Sequence, residues 1–377
     1  MKDVLAEKIL AKIMNWDASK LRNELADLQI MAELKYDTYQ QYTHGKRFIE
    51  CLALWLKRFD TEQERQTAYE FVKKNMIFIS ETEMQQLVAV AFDDYIRDKI
   101  MIKVKSNYGI HEKELTKKDL YQYYLRKTLF LGLSDGAHID FFRRHNSFLT
   151  NEQIFMHYDY SEGKAKELQK HLNEDLENSH RKLLPIEYFN NYVLLDDFSA
   201  SGLSYLRKEK DKETGCDVWK GKLSKFFAGT QKLKTNENEI SVRVLIYLAT
   251  KEAISNIEQN LQKYLKENEL HINFSVQAVQ YIDAEQLPDD FIKLLKEDLD
   301  KHSEKDYVSF IDSHFMKGKT DRPYLGFNEC GLPLIIYHNT PNNSLPIIWH
   351  GWIKKNPSED ECGQEALFPR VTRHKEE

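Results

Sequence analysis

Cysteine is scarce in this chain: Cys51, Cys216, Cys330 and Cys362 are the four among 377 residues. They are widely separated and none belongs to a Cys-x-x-Cys pair, which argues against a zinc ribbon or a disulfide framework and points to a reducing, cytoplasmic setting. Long apolar runs are missing too. Nothing approaches the roughly 18 consecutive apolar residues that span a bilayer. Lys2, Asp3, Glu7 and Lys8 interrupt the apolar residues at the N-terminus, which therefore does not read as a signal peptide. No membrane partner is expected. Excess basic charge is also absent: the net charge is −6, so the whole-chain footprint of a nucleic-acid binder is lacking, with a local patch left open. There is no Gly-x-Ser-x-Gly elbow, and no Lys follows Gly202 as a P-loop requires. No internal repeat or low-complexity tract stands out.

What is present is ordinary for a soluble globular protein: 41% hydrophobic and 30% charged residues, in a length that allows one large or two modest domains. The first third reads helical. Leu5, Ile9, Ile13 and Trp16 mark one helix, and Asp17 is placed to cap a second that carries Leu21, Leu25 and Leu28. Phe48, Leu52, Trp55 and Leu56 mark a third, and Thr61 caps a fourth with Ala68, Phe71 and Val72. Ile77-Phe78-Ile79 reads as a short apolar break before a helix over 81–96. Apolar residues at helical spacing mark a buried face, so these positions read as core. From Tyr124 the pattern changes to short apolar runs separated by helices. Strands are predicted at 128–133, 192–195, 242–249, 272–279 and 334–337, with helices over 251–266 and 289–301. This alternation predicts an α/β fold with a mostly parallel sheet. The expected division is a helical region at 1–123, an α/β domain at 124–350, and a C-terminal extension at 351–377 packing on or near the site. Thr235 to Glu239 reads as a surface loop. The mixed-charge run from Lys208 to Glu213 reads as a solvated loop or helix end, or as a mobile lid.

The densest chemistry lies in Tyr192-Val-Leu-Leu-Asp-Asp-Phe-Ser-Ala-Ser-Gly-Leu-Ser204. Val193, Leu194 and Leu195 predict a buried strand, and Asp196 and Asp197 stand at its carboxyl end. Ser199, Ala200, Ser201, Gly202, Leu203 and Ser204 form a small-residue loop, after which a helix is expected. In open α/β sheets ligands bind beyond the strand carboxyl ends. A small loop leading into a helix can surround one phosphate with backbone N–H groups. The carboxylates would then lie beside the sugar that carries the phosphate. A plainer alternative is a turn in which Ser199 caps a helix.

This segment resembles the phosphoribosyl-pyrophosphate signature of type I phosphoribosyltransferases: an apolar strand, two acidic residues, three variable residues, then Ser/Thr-Gly-x-Ser/Thr. The resemblance implies a type I phosphoribosyltransferase sheet. It also implies that Asp196 and Asp197 bind the ribose hydroxyls and favour an oxocarbenium-like transition state. Ser199, Ala200, Ser201, Gly202, Leu203 and Ser204 would hold the 5-phosphate, and Mg²⁺ would arrive on substrate phosphates with few protein ligands. Ala200 stands where purine-type members often carry an acidic residue that works on the base, so proton transfer to a base must come from elsewhere and the acceptor is open. Leu129 to Arg144, Thr150 to Gln153, Asn339 to Trp349 and Phe368-Pro-Arg370 further resemble the divergent phosphoribosyltransferase-like proteins of bacterial conflict systems, encoded in antiphage loci that include some retron operons. That likeness alone implies a toxin effector of antiviral defence. Its implied partners are phosphoribosyl pyrophosphate or a nucleotide, and a defence partner such as a reverse transcriptase complex.

Ser134, Asp135 and Gly136 follow the first predicted strand of the sheet. In the phosphoribosyltransferase layout such a loop meets the pyrophosphate, and the glycine lets backbone approach the ligand. Arg144, ahead of Arg143, is a candidate pyrophosphate clamp because a guanidinium fork matches phosphate oxygens. The alternative is a surface pair bonded to acidic neighbours. Asn339, Asn342, Asn343, Pro341 and Pro346 predict a rigid irregular loop. Trp349 stacking on a base and His350 acting as acid or base are weighed there against a packed Trp, which is the simpler expectation. Arg370 and Arg373 read as a solvated basic tail or as reaching a phosphate. His338, His350 and Cys362 match no zinc spacing. Three functions stay open: a ribosyl-transferring enzyme, a module that senses nucleotide or ribose phosphate without turnover, and a degenerate scaffold. The helical region would cover the sheet, form a homo-oligomer or dock a partner.

Overall fold

In this computed structural model the structure describes residues 3–108, 118–157, 162–211, 213–230, 240–282, 286–302, 307–312, 315–318, 320–355 and 364–371. The chain forms two compact units, Met1–Glu83 with Ala284–Glu377, and Met84–Asp283. These bounds differ from the expected divisions at 123/124 and 350/351. Both ends of the chain contribute to one unit, and residues 84–123 group with the sheet. The predicted loop at 235–239 lies outside the described residues, as do Lys212, Cys362 and Arg373.

In the first unit, α1 (Asp3–Ile13), α2 (Ala18–Leu34), α3 (Phe48–Leu56) and α4 (Glu62–Lys74) follow the predicted helices. Asp17 caps α2 by accepting from the N–H groups of Ser19 (2.9 Å) and Lys20 (2.8 Å), which are orphan donors of the first turn. Thr61 and Glu64 form a reciprocal capping box at α4. The buried stripe of α1 is Ala6 and Leu10, continued by Met14 just past its end, one residue along from the predicted one, and Leu5 is exposed. Ile77–Ile79 is a strand, β1, and not a break. It pairs in parallel with β9 (Leu334–Ile336), so the strand predicted at 334–337 does not join the main sheet. Near the chain end, α12 (Asp289–His302) and the single turn α13 (Pro346–Trp349) complete this unit. Its interior holds a buried ion pair: Arg58 donates to Asp298 through Nε (3.0 Å) and Nη2 (2.5 Å). Trp352 Nε1 donates to the same carboxylate at 3.1 Å.

The second unit begins within α5 (Glu81–Val90), at Met84, and α5 runs into a π-helical segment at Ala91–Arg97 and then α6 (Asp98–Tyr108). It continues with α7 (Asp119–Arg126), β2 (Thr128–Gly132), α8 (Ile139–His145), β3 (Ile154–Met156), α9 (Glu162–Asn178) and β4 (Asn191–Ser199). A hairpin of β5 (Arg207–Lys210) and β6 (Asp217–Lys220) precedes α10 (Lys222–Thr230), β7 (Ser241–Ala249), α11 (Lys251–Glu267) and β8 (Asn273–Tyr281). The main sheet has the order β3-β2-β4-β7-β8, and every pairing in it is parallel. β3 is an unpredicted strand, too short to carry a periodic signal.

Alternate residues of each strand feed opposite faces. On one face Leu129, Leu131, Tyr192, Leu194, Val242 and Val244 pack with Leu168 and Leu172 of α9 and Ile257 and Leu261 of α11. On the other, Phe130 meets Phe92 and Phe142, with ring centroids 6.2 and 5.4 Å away. Helices thus cover both faces, as a parallel sheet requires.

Candidate active site at the β2–β4 switch point

Counted along the chain, the five strands lie in the order second, first, third, fourth, fifth. The order reverses between β2 and β4, and in doubly wound sheets ligands bind outside the strand carboxyl ends at such a switch point. The two loops that leave β2 and β4 there are 133–138 and 199–206. They contain Ser134, Asp135 and Gly136, and the small-residue run from Ser199 to Ser204.

Asp196 and Asp197 are adjacent on β4 and therefore point to opposite faces of the sheet. Asp196 follows Tyr192 and Leu194 inward and is fully buried. Its Oδ1 accepts from the Ser134 hydroxyl. Its Oδ2 accepts from the Tyr205 hydroxyl at 2.5 Å and forms an ion pair with the Lys222 ammonium. Burial pushes the Asp196 carboxyl above its usual range and Asp197 adds to this, while Lys222 and the Ser134 hydrogen bond oppose it. Burial, helped by Asp196, holds the Tyr205 phenol well above its ordinary value, so it is the donor. Asp197 is half-buried on the other face. A Cβ on Gly136 would fall 2.1 Å from its Oδ2, so only glycine lets the 133–138 loop lie against this carboxylate. Tyr247, directly across on β7, anchors that loop by donating to Ala137 O at 3.0 Å.

The loop after β4 does not lead into a helix. It turns into the β5–β6 hairpin, so no helix N-terminus follows it. Ser199 does not cap a helix; its Oγ accepts from Gly202 N at 3.2 Å, inside a turn. The loop is pinned to the start of α11. Thr250 Oγ1 donates to Ala200 O (2.6 Å) and Asn256 Nδ2 donates to Ser201 O (3.0 Å). Gly202 has φ of +75°, and a Cβ there would lie 2.7 Å from Ala253 O. Ser199, Ala200, Ser201 and Gly202 are buried, Leu203 is half-buried and Ser204 is exposed.

The structure therefore brings Ser134, Gly136, Asp196 and Asp197 together, with the 199–204 loop continuing from them. Asp135 lies in the same short turn as Gly136. Arg144 is exposed in the last turn of α8, and Arg143 pairs with Asp140 at 3.4 Å, the surface-pair alternative. Trp349, His350 and Arg370 belong to the other unit. Trp349 is buried there and donates to Ser344 O at 2.8 Å, a packed anchor. Lys208 to Lys210 lie in β5, a strand of the hairpin. Lys222, Tyr205 and Tyr247 were not singled out from the sequence. Lys222 returns to Asp196 only after the hairpin, and no spacing rule announces it.

The residues do not fit Mg²⁺ on Asp196, because both carboxylate oxygens are engaged by protein donors and a buried carboxylate leaves no room for the waters this ion keeps. Asp197 is the carboxylate of the pair that keeps partial exposure to solvent. Among the described residues no group of three or more His, Cys, Asp or Glu side chains could hold a metal ion. No helix among them is long and apolar enough to cross a membrane.

Sheet order and site together define a doubly wound α/β protein with acidic side chains at the carboxyl end of its central strand. Residues 52–370 match the model of the PRTase-CE family, and the chain belongs to that phosphoribosyltransferase-like family. No curated protein and no solved structure matches it.

Proposed function

We propose that the protein binds phosphoribosyl pyrophosphate, or the ribose-phosphate part of a nucleotide, at the β2–β4 switch point and breaks the bond to ribose C1. The observation that supports this reading most is the meeting of Gly136 and Ser134 with Asp197 and Asp196 at that point. Asp197 faces the sugar and favours positive charge on C1 and the ring oxygen as the bond loosens. Asp196, held by Ser134, Tyr205 and Lys222, positions the strand end. The leaving pyrophosphate or base takes the electron pair of its bond to C1, and a nucleobase, water or macromolecular acceptor supplies the pair for the new bond. The 199–204 loop and Ser134 to Gly136 flank the phosphates, with Arg144 as a further candidate. Mg²⁺ travels on those phosphates. The family likeness supports a toxin effector of bacterial antiphage defence, acting with a partner such as a reverse transcriptase complex.

A second reading, sensing without turnover, is favoured by the closure of the loop's start: the Ser199 hydroxyl and the Ala200 and Ser201 carbonyls are already bonded, to Gly202 N, Thr250 and Asn256. Melting temperature with Mg²⁺ and phosphoribosyl pyrophosphate tests the shared pocket. A rise in the wild type that is lost in Asp196→Asn/Asp197→Asn supports it, and no rise in either overturns it. Asp197→Asn alone separates the readings. An enzyme loses turnover and keeps ligand-induced stabilisation, whereas a sensor has no turnover to lose.

A further inference from the structure

The Lys222 ammonium sits on the one carboxylate of the site that has no exposure to solvent. The chain is built to bring it there. After the loop the backbone departs at Leu206, makes the β5–β6 hairpin and returns at Gly221. That glycine has φ of +132°, and a Cβ on it would lie 2.4 Å from Tyr205 O. Two backbone hydrogen bonds then fix the return, Lys222 N to Ser204 O (3.0 Å) and Leu223 N to Tyr205 O (2.9 Å). The Tyr205 ring lies under the ammonium, 5.1 Å from its centroid, and Tyr205 Oη shares Asp196 Oδ2 with it.

We infer that Lys222 is the resident cation of this site, filling on Asp196 the place that a divalent metal ion takes on a carboxylate. A buried carboxylate stays ionised only when it is paired and hydrogen-bonded, and Lys222 with Ser134 and Tyr205 supplies both. An ion arriving at Asp196 would have to expel the ammonium and the two hydroxyl donors and bring its own waters into a closed space. Lys222 thus offsets the charge of Asp196 within the acidic pair, which limits repulsion of an anionic sugar phosphate. Any metal is held by the ligand's phosphates. The consequence for ligands rests on the ribose-phosphate reading of the site, and Lys222 acts as a positioning residue within it.

The test is Mn²⁺ binding to the full chain with no sugar phosphate present, followed by water-proton relaxation and by melting temperature. Wild type and the isosteric Asp196→Asn are expected to respond alike. Lys222→Ser, which removes the charge and opens space, is expected to gain a Mn²⁺ site that Lys222→Ser/Asp196→Asn lacks. Mn²⁺ binding in the wild type that Asp196→Asn abolishes would overturn the inference, and so would a folded Lys222→Ser that gains no site. If Lys222→Ser does not fold, the comparison of wild type with Asp196→Asn decides. Loss of phosphoribosyl pyrophosphate binding would sink the ribose-phosphate reading and leave this metal result standing, so the two failures are distinguishable.

Discussion

At the residue scale the site depends on a glycine as much as on its carboxylates. Gly136→Ala would place a methyl group 2.1 Å from Asp197 Oδ2, forcing apart the 133–138 loop and the end of β4. The expected outcome is a folded protein by circular dichroism whose stabilisation by phosphoribosyl pyrophosphate is lost. An unchanged ligand response would show that this contact is irrelevant to binding. The acidic pair itself was legible, because two carboxylates after an apolar run and before a small-residue loop form an ordered local pattern. Their unequal surroundings were less so. Adjacent strand residues point to opposite faces, so the two aspartates had to enter different surroundings. Which one became buried depended on Tyr205 and Lys222, and Lys222 reaches Asp196 only through the hairpin.

At the element scale the phosphate-loop candidate is held by α11. Gly202→Ala places a side chain at φ of +75° and 2.7 Å from Ala253 O, and a cost of about 1–3 kcal/mol follows from the strained conformation alone. Urea unfolding should show a lowered midpoint, and a midpoint equal to wild type would refute the close approach. Helix starts were the best-read features. Asp17 and Thr61 act on donors two and three residues away, so short-range sequence suffices. The helix expected after Ser204 was misread. The charged segments Arg207–Lys210 and Asp217–Lys220 pair with each other as an antiparallel hairpin, and neither carries a strand-like apolar alternation that would have marked it.

At the scale of the whole molecule, the unit built from both chain ends carries a buried polar cluster with two measurable consequences. Asp298→Ala strands the Arg58 guanidinium in the interior, where Arg58 is 5% exposed. Breaking a buried pair in this way costs about 3–5 kcal/mol, readable as a fall in melting temperature. Burial holds His350 down to about 4, and burial also lowers His302, although its Nδ1 donates to Asp298 O at 2.7 Å. The unfolded chain binds these protons near pH 6.5 while the folded one resists until lower pH. The contribution of these histidines to stability should therefore fall as pH drops from about 6.5 toward 4 and level off below. His350→Phe should flatten this acid limb in urea melts, and parallel wild-type and variant curves would contradict it. Sequence by itself determined the alternating α/β character, four of the five sheet strands, the helix caps and the acidic loop motif, because each is written in periodicity or short-range spacing. Only the tertiary structure decided that Ile77–Ile79 pairs with Leu334–Ile336, that the sheet order reverses between β2 and β4, and that Lys222 neutralises Asp196. Those three are contacts between distant segments, selected by how strands pair and faces pack, and no local pattern encodes them.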